Sequence, residues 1–146
     1  MKKAAVLLAD GFEEIEALTA VDLLRRARIY VDTVSISDEY MVAGAHGINV
    51  QTEDLFGEVD FEEFDMVVLP GGMPGTTNLK DHTGLTELLE RFDREEKYIA
   101  AICAAPSILG SLGMLKGRKA CAYPSFEDKL DCEEVVCAPV VTDGHI

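Results

Sequence analysis

Positive charge is scarce in this chain of 146 residues: 13 Lys and Arg stand against 27 Asp and Glu, a formal net charge of −14. Phosphates of nucleic acids and anionic membrane surfaces are repelled by such a chain, so neither is an expected partner. Long apolar runs are absent as well. The longest, residues 4–9, falls far short of the roughly 20 residues that a membrane span needs. The basic start, Lys2-Lys3, leads into that run, and Asp10-Gly11 ends it at once, which reads as a first strand and not as a signal peptide. Without a secretory signal, Cys103, Cys121, Cys132 and Cys137 are expected to be thiols in a reducing cytoplasm. No Cys-x-x-Cys pair is present, Cys132-x4-Cys137 is not a zinc spacing, and His46, His82 and His145 are scattered, so no metal is expected. Neither a Walker A loop nor Gly-x-Gly-x-x-Gly occurs, which removes the usual grounds for a nucleotide cofactor. Low-complexity segments, repeats and linkers are missing too.

What is present suffices for a core. Hydrophobic residues make up 48% of the chain, and its length is that of one domain, here residues 1–146. A chain of this size buries about 68–70% of its unfolded surface and needs no staple. Strand-like and helix-like segments alternate, the pattern of an α/β fold with a largely parallel sheet and helices on both faces. Residues 3–9 form a near-continuous apolar run, as for a strand covered on both faces. Residues 13–27 have helical spacing at Ile15, Leu18, Val21 and Leu24. Strands are expected at 30–37, 66–69 and 98–102, a hairpin at 41–52, and helices at 85–96 and 104–112. Further strands are expected at 119–122, 135–138 and 140–142, with a short helix near 126–130. Asp143-Gly144 is a hairpin-turn signal followed only by His145 and Ile146, so the expectation is a domain whose C-terminal part is missing.

Three segments carry chemistry. In Ala101-Ile102-Cys103-Ala104-Ala105-Pro106 a strand runs into a helix with cysteine at the junction and small residues around it. That is the layout of a nucleophile elbow, whose turn is too tight for large neighbours. A helix N-terminus favours thiolate there; a small buried core cysteine is the alternative. In Asp10-Gly11-Phe12-Glu13-Glu14-Ile15-Glu16, Glu13 and Glu14 are explained as complements to the helix dipole. Glu16 differs, because it shares a ridge with Ala20 and Leu24 and lies at the carboxyl edge of the first strand, where open α/β sheets place ligands. It is either a partly buried acid facing that edge, where burial favours the protonated form, or a solvated rim residue. Leu69-Pro70-Gly71-Gly72-Met73-Pro74-Gly75 follows a strand, and its glycines permit close backbone approach and free N–H donors, or make a plain loop.

The three segments, in this order, resemble the ThiJ/PfpI superfamily, on the branch of the Parkinson-disease protein (DJ-one) and its bacterial relatives, across about residues 4–146. The resemblance implies a flavodoxin-like sandwich and a homodimer. It implies Cys103 as the nucleophile, Glu16 as the protonated acid that hydrogen-bonds it, and the N–H groups of Gly72 and Ala104 as an oxyanion hole, with Gly71, His46 and Tyr123 nearby. Ala104 stands where PfpI-type proteases have His, which weighs against proteolysis. Tyr123 stands where some members have His, and His46 where an Arg is common. Relatives continue past Gly144 into a strand, a turn and a covering helix.

The function implied is a cofactor-free enzyme acting on a small aldehyde or dicarbonyl, of the glyoxalase III or protein deglycase type. The alternative is a redox-sensing or chaperone-like stress protein that uses the same oxidisable cysteine. A role beside thiazole monophosphate synthesis ranks below both, because no phosphate-binding motif is present.

Overall fold

A computed structural model describes residues 1–146. Its frame is a five-stranded, all-parallel sheet built from β1 (Lys3–Leu8), β2 (Tyr30–Ser35), β5 (Asp54–Leu55), β6 (Met66–Leu69) and β7 (Tyr98–Ala101), in the order β5-β2-β1-β6-β7. β1 lies at the centre, and its side chains alternate between two cores. Ala4, Val6 and Leu8 join the core beneath α1 (Glu14–Arg26), with Ala17, Val21 and Val42. Ala5, Leu7 and Ala9 join the core formed with α2 (Gly75–Asp81), α3 (Thr83–Arg94) and α4 (Pro106–Ser111). This is the flavodoxin-like α/β sandwich, with helices on both faces.

α3 shows how sequence dictates an element. The ring nitrogen Nδ1 of His82 accepts from Leu85 N–H at 2.9 Å and caps the first turn. Leu85, Leu88, Leu89 and Phe92 then fall on one face and are all buried. Each such side chain contributes about 1.5–3 kcal/mol when taken from water. α1 departs from the expected stripe. Glu14, Ala17 and Val21 are its buried residues, whereas Ile15 is 75% exposed and Leu18 lies outside. The small Ala17 sits where the helix meets the sheet, which turns Ile15 and Leu18 to the outer side.

The expected hairpin is present as β3 (Met41–Ala43) paired antiparallel with β4 (Asn49–Gln51). β8 (Lys119–Ala120) and β9 (Glu134–Val135) are short and pair with each other, and a 3-10 turn spans Pro124–Lys129. Two departures stand out. α2 was not foreseen, because its start, Gly75-Thr76-Thr77, is poor in helix formers. Residues 140–142 form no strand. The turn expected at Asp143-Gly144 is present: Asp143 N–H donates to the Ile146 carbonyl at 2.8 Å and Ile146 N–H to the Asp143 carbonyl at 3.3 Å, while Ile99 N–H donates to the His145 carbonyl at 3.0 Å, so this segment lies along β7. No helix is long and apolar enough to cross a membrane.

Candidate active site

Three loops leave the carboxyl ends of β1, β6 and β7, and the first two lock together and onto residue 43 through backbone contacts. Glu13 N–H donates to the Gly71 carbonyl at 2.9 Å, Gly75 N–H to the Gly11 carbonyl at 3.1 Å, and Gly11 N–H to the Ala43 carbonyl at 2.7 Å. Gly72 has φ +94°, and a Cβ there would meet Glu13 N at 2.4 Å, so only glycine allows this approach. At Gly71 a Cβ would lie 2.6 Å from Glu16 Oε2 and 2.7 Å from the Cys103 Cβ. The first glycine of the pair is therefore the gap in which Glu16 and Cys103 meet.

Cys103 sits between β7 and α4 with φ +63°. A left-handed conformation at a non-glycine residue is strained and is typical of a nucleophile elbow. Ala104, Ala105 and Pro106 are buried behind it, as a tight turn requires. The Cys103 carbonyl accepts from Tyr123 N–H at 2.9 Å, which brings Tyr123 to the site. Cys103, Glu16, Ile102, Pro106, Cys121 and Tyr123 are among the residues lining a largely apolar cleft of about 780 Å³.

The electrostatics correct one expectation. With Glu16 ionised, burial, and then that carboxylate beside it, push the Cys103 thiol up to about 11, against a smaller lowering by Ala104 N–H. α4 has only six residues, so its dipole is weak against burial and an adjacent negative charge. The elbow alone does not make a thiolate; the proton of the Cys103–Glu16 pair has to be placed.

Glu16 is half-buried, and its Oε2 accepts from Gly71 N–H at 2.8 Å. That fixes one oxygen and leaves the other free. The N–H groups of Gly72 and Ala104 donate to no backbone carbonyl or side-chain oxygen. His46 goes elsewhere than expected. Its Nδ1 lies 2.9 Å from Glu14 Oε2 and 3.5 Å from Glu13 Oε1, and it is not part of the cleft lining.

Glu14 is the residue that sequence reasoning missed. It is only 4% exposed, and its Oε1 accepts from His46 N–H at 2.7 Å and Ile48 N–H at 3.4 Å, tying α1 to the hairpin. Burial alone would push its carboxyl up. The His46 imidazole, with the backbone N–H groups of Glu14, His46 and Ile48, outweighs burial and holds it at about 2. The available signal was its ridge with Ala17 and Val21, the same argument that singled out Glu16. Glu13, Glu14 and His46 bring three metal-ligating atoms within 4.8 Å of one another; the short contact makes them an ion-pair cluster.

A flavodoxin-like sheet that carries a strained cysteine elbow, an adjacent acid and a glycine pair at its carboxyl edge defines a class of cysteine-centred α/β proteins. The chain belongs to the DJ-1/PfpI family, whose profile matches residues 2–146. It is similar to Protein DJ-1 homolog B of Arabidopsis thaliana, 36% identical over 147 residues, 99% of this chain and 34% of that protein. The chain thus spans about a third of the length of this relative, and 38% of the Arabidopsis homolog A. A Pyrococcus abyssi protein named a deglycase is 34% identical over 98% of this chain and 86% of its own length. The crystal structure of Drosophila melanogaster DJ-1beta superposes with a TM-score of 0.93 at 34% identity, covering 99% of this chain and 78% of that one.

Proposed function

We propose that this chain is a cysteine-dependent enzyme acting on reactive dicarbonyls, with a reaction of the glyoxalase III or deglycase type and no metal or nucleotide cofactor. The observation that carries this reading is the meeting of Cys103 and Glu16 across Gly71. The archaeal relatives named deglycases support it. In the reactive form the one proton of the pair sits on Glu16, on the oxygen that Gly71 does not hold. The Cys103 thiolate adds to the aldehyde carbon of methylglyoxal, and the N–H groups of Gly72 and Ala104 receive the new oxyanion, which takes its proton from Glu16. Glu16, now ionised, removes the hydrogen from that carbon and returns it to the neighbouring carbonyl carbon, while the new hydroxyl's proton passes to the oxygen of that neighbour, so the hemithioacetal becomes its thioester isomer. The product is a lactoyl thioester, and water cleaves it to lactate and the free thiol.

Lactate formation from methylglyoxal by the wild type, Cys103→Ala and Glu16→Gln tests this. The wild type is expected to make lactate, Cys103→Ala to fall to background, and Glu16→Gln to lose about 10²–10⁴-fold. Turnover that survives Cys103→Ala, or none in the wild type, overturns the reading.

A homodimer belongs to the same proposal. Ile15 on the outer side of α1 is 75% exposed and Ile48 in the hairpin 54% exposed. Glu14 ties the two segments together, and we place the contact with a second copy on them.

A further inference from the structure

The N–H of Gly72 belongs to a peptide unit that is held from its opposite end. The Gly71 carbonyl and the Gly72 N–H are the two ends of one planar trans unit and point in opposite directions. Glu13 N–H donates to that carbonyl at 2.9 Å. The β1 loop, residues 10–13, therefore sets the direction in which Gly72 N–H points. The glycine also lies flat against this loop, since a Cβ on it would meet the Gly11 oxygen at 2.6 Å and the Phe12 carbonyl carbon at 2.7 Å. The loop is held in turn by α2, the helix that follows the glycine pair. Gly75 N–H donates to the Gly11 carbonyl at 3.1 Å, and the side-chain Nδ2 of Asn78 donates to the Asp10 carbonyl at 2.8 Å. On its other side Asp10 is anchored to the hairpin, where its carboxylate accepts from Ala43 N–H at 2.9 Å. A ring results. Residues 71–78 run from the glycine pair to Asn78, Asn78 reaches Asp10, residues 10–13 run on to Glu13, and Glu13 returns to Gly71. The Asn78 amide is the one side chain that closes it.

We infer that Asn78 is a positioning residue for the reaction at Cys103: its amide fixes the β1 loop and, through Glu13 N–H and the Gly71–Gly72 peptide, aims the Gly72 N–H at the oxygen of the carbonyl under attack. This rests on the reading of Gly72 N–H as an oxyanion donor. Asn78 is not part of the cleft lining, so it acts through the loop and not on the substrate. It is exposed, so replacing it opens no hole in either core. Without its amide the Asp10 carbonyl loses its donor, the loop is free to shift against α2, and the peptide that carries the Gly72 N–H turns with it. Loss of one oxyanion donor costs about 10²–10³-fold in rate. Misaiming a donor that is still present costs less, on the order of tenfold.

The test compares two reactions of the Cys103 thiolate, neither of which needs turnover. p-Nitrophenyl acetate acylates it: the C–S bond forms through a tetrahedral oxyanion, the ester C–O bond breaks, and p-nitrophenolate leaves. Iodoacetamide alkylates it by displacing iodide, and no oxyanion forms. Both rates are measured with the Cys103→Ala background subtracted and are referred to a small free thiol. The ratio of acylation to alkylation is expected to be on the order of 10²-fold above that reference in the wild type. In Asn78→Ala, and in Asn78→Asp, which keeps the shape but puts an oxygen in place of the donor, the ratio is expected to fall on the order of tenfold. A change in fold, access or thiolate population moves both rates together and leaves the ratio alone. A ratio in both variants equal to that of the wild type overturns the inference and leaves Gly72 as a donor held by the backbone alone. A wild-type ratio equal to the reference defeats the donor reading itself, and the inference with it. A fall in the variants without lactate formation by the wild type defeats the dicarbonyl reading and leaves the role of Asn78 standing.

Discussion

Glu16 and Cys103 occupy one small space, and Gly71 is the spacer that permits it: a methyl group at position 71 would lie 2.6 Å from Glu16 Oε2 and 2.7 Å from the Cys103 Cβ. Two buried or half-buried acids this close cannot both ionise cheaply. The elbow supplies position, through the φ of +63° at Cys103. The proposed reaction rests the pair's proton on the acid.

Gly71→Ala should therefore disable the site while the fold survives. The added methyl displaces the Glu16 carboxylate and crowds the nucleophile, and displacements near 1 Å cost on the order of 10²-fold in rate. Lactate assays and thermal melts on the same preparation check this. An unchanged rate would show that the close approach at Gly71 has no part in the chemistry.

Cys103 should be alkylated by iodoacetamide before the other three thiols. Cys137 is exposed, whereas Cys103 is only partly so, so access alone predicts the opposite order. Peptide mapping after brief treatment near neutral pH separates the two. First labelling at Cys137 would place control with exposure and not with the elbow.

The Glu14–His46 pair should give stability a pH window. Glu14 is held at about 2, below its ordinary value, so its contribution is present above that value and lost as pH falls toward about 2. His46 is pushed up, first by its hydrogen bond to Glu14 and then by the charges of Glu13 and Glu14. Its contribution is full below the ordinary imidazole value and is lost as pH rises through the raised one. Both hold between about pH 4.5 and 6.5, where the melting temperature of His46→Gln should fall furthest below that of the wild type. A gap that widens toward high pH would contradict the pairing. The imidazole is two-thirds exposed, so the effect is small.

The wild type should sediment as a dimer and Ile15→Glu as a monomer. The residue is 75% exposed, so the substitution costs little within one chain but places a charge in any interface there. Dimers of the variant would move the interface off α1.

Much of this was legible in the residues. Strand-then-helix order and the apolar run of β1 dictate a doubly covered parallel sheet, and the small residues around Cys103 announce a tight turn. The miss on α1 has a plain cause. A count of large apolar residues selected Ile15 and Leu18, but helix-to-sheet packing selected the small Ala17, and Glu14 came inside with it. A buried acid is invisible to hydropathy until its donors are known, and those of Glu14 come from a hairpin more than 30 residues away. His46 was misplaced for the same reason. The acidity of Cys103 was also beyond a motif, since it depends on a carboxylate 87 positions earlier in the chain.

The location of the pair's proton is read most directly by titrating the ultraviolet absorbance of the Cys103 thiolate in the wild type, Glu16→Gln and Glu16→Leu, with Cys103→Ala as the blank. If Glu16 carries the proton, the wild-type thiolate persists at neutral pH, with a midpoint below the roughly 8.5 of a free thiol. Glu16→Gln keeps a donor and stays near the wild type, while Glu16→Leu loses the donor, keeps the burial, and rises. A wild-type midpoint near 11, falling when Glu16 is replaced, would put the proton on sulfur and contradict the account.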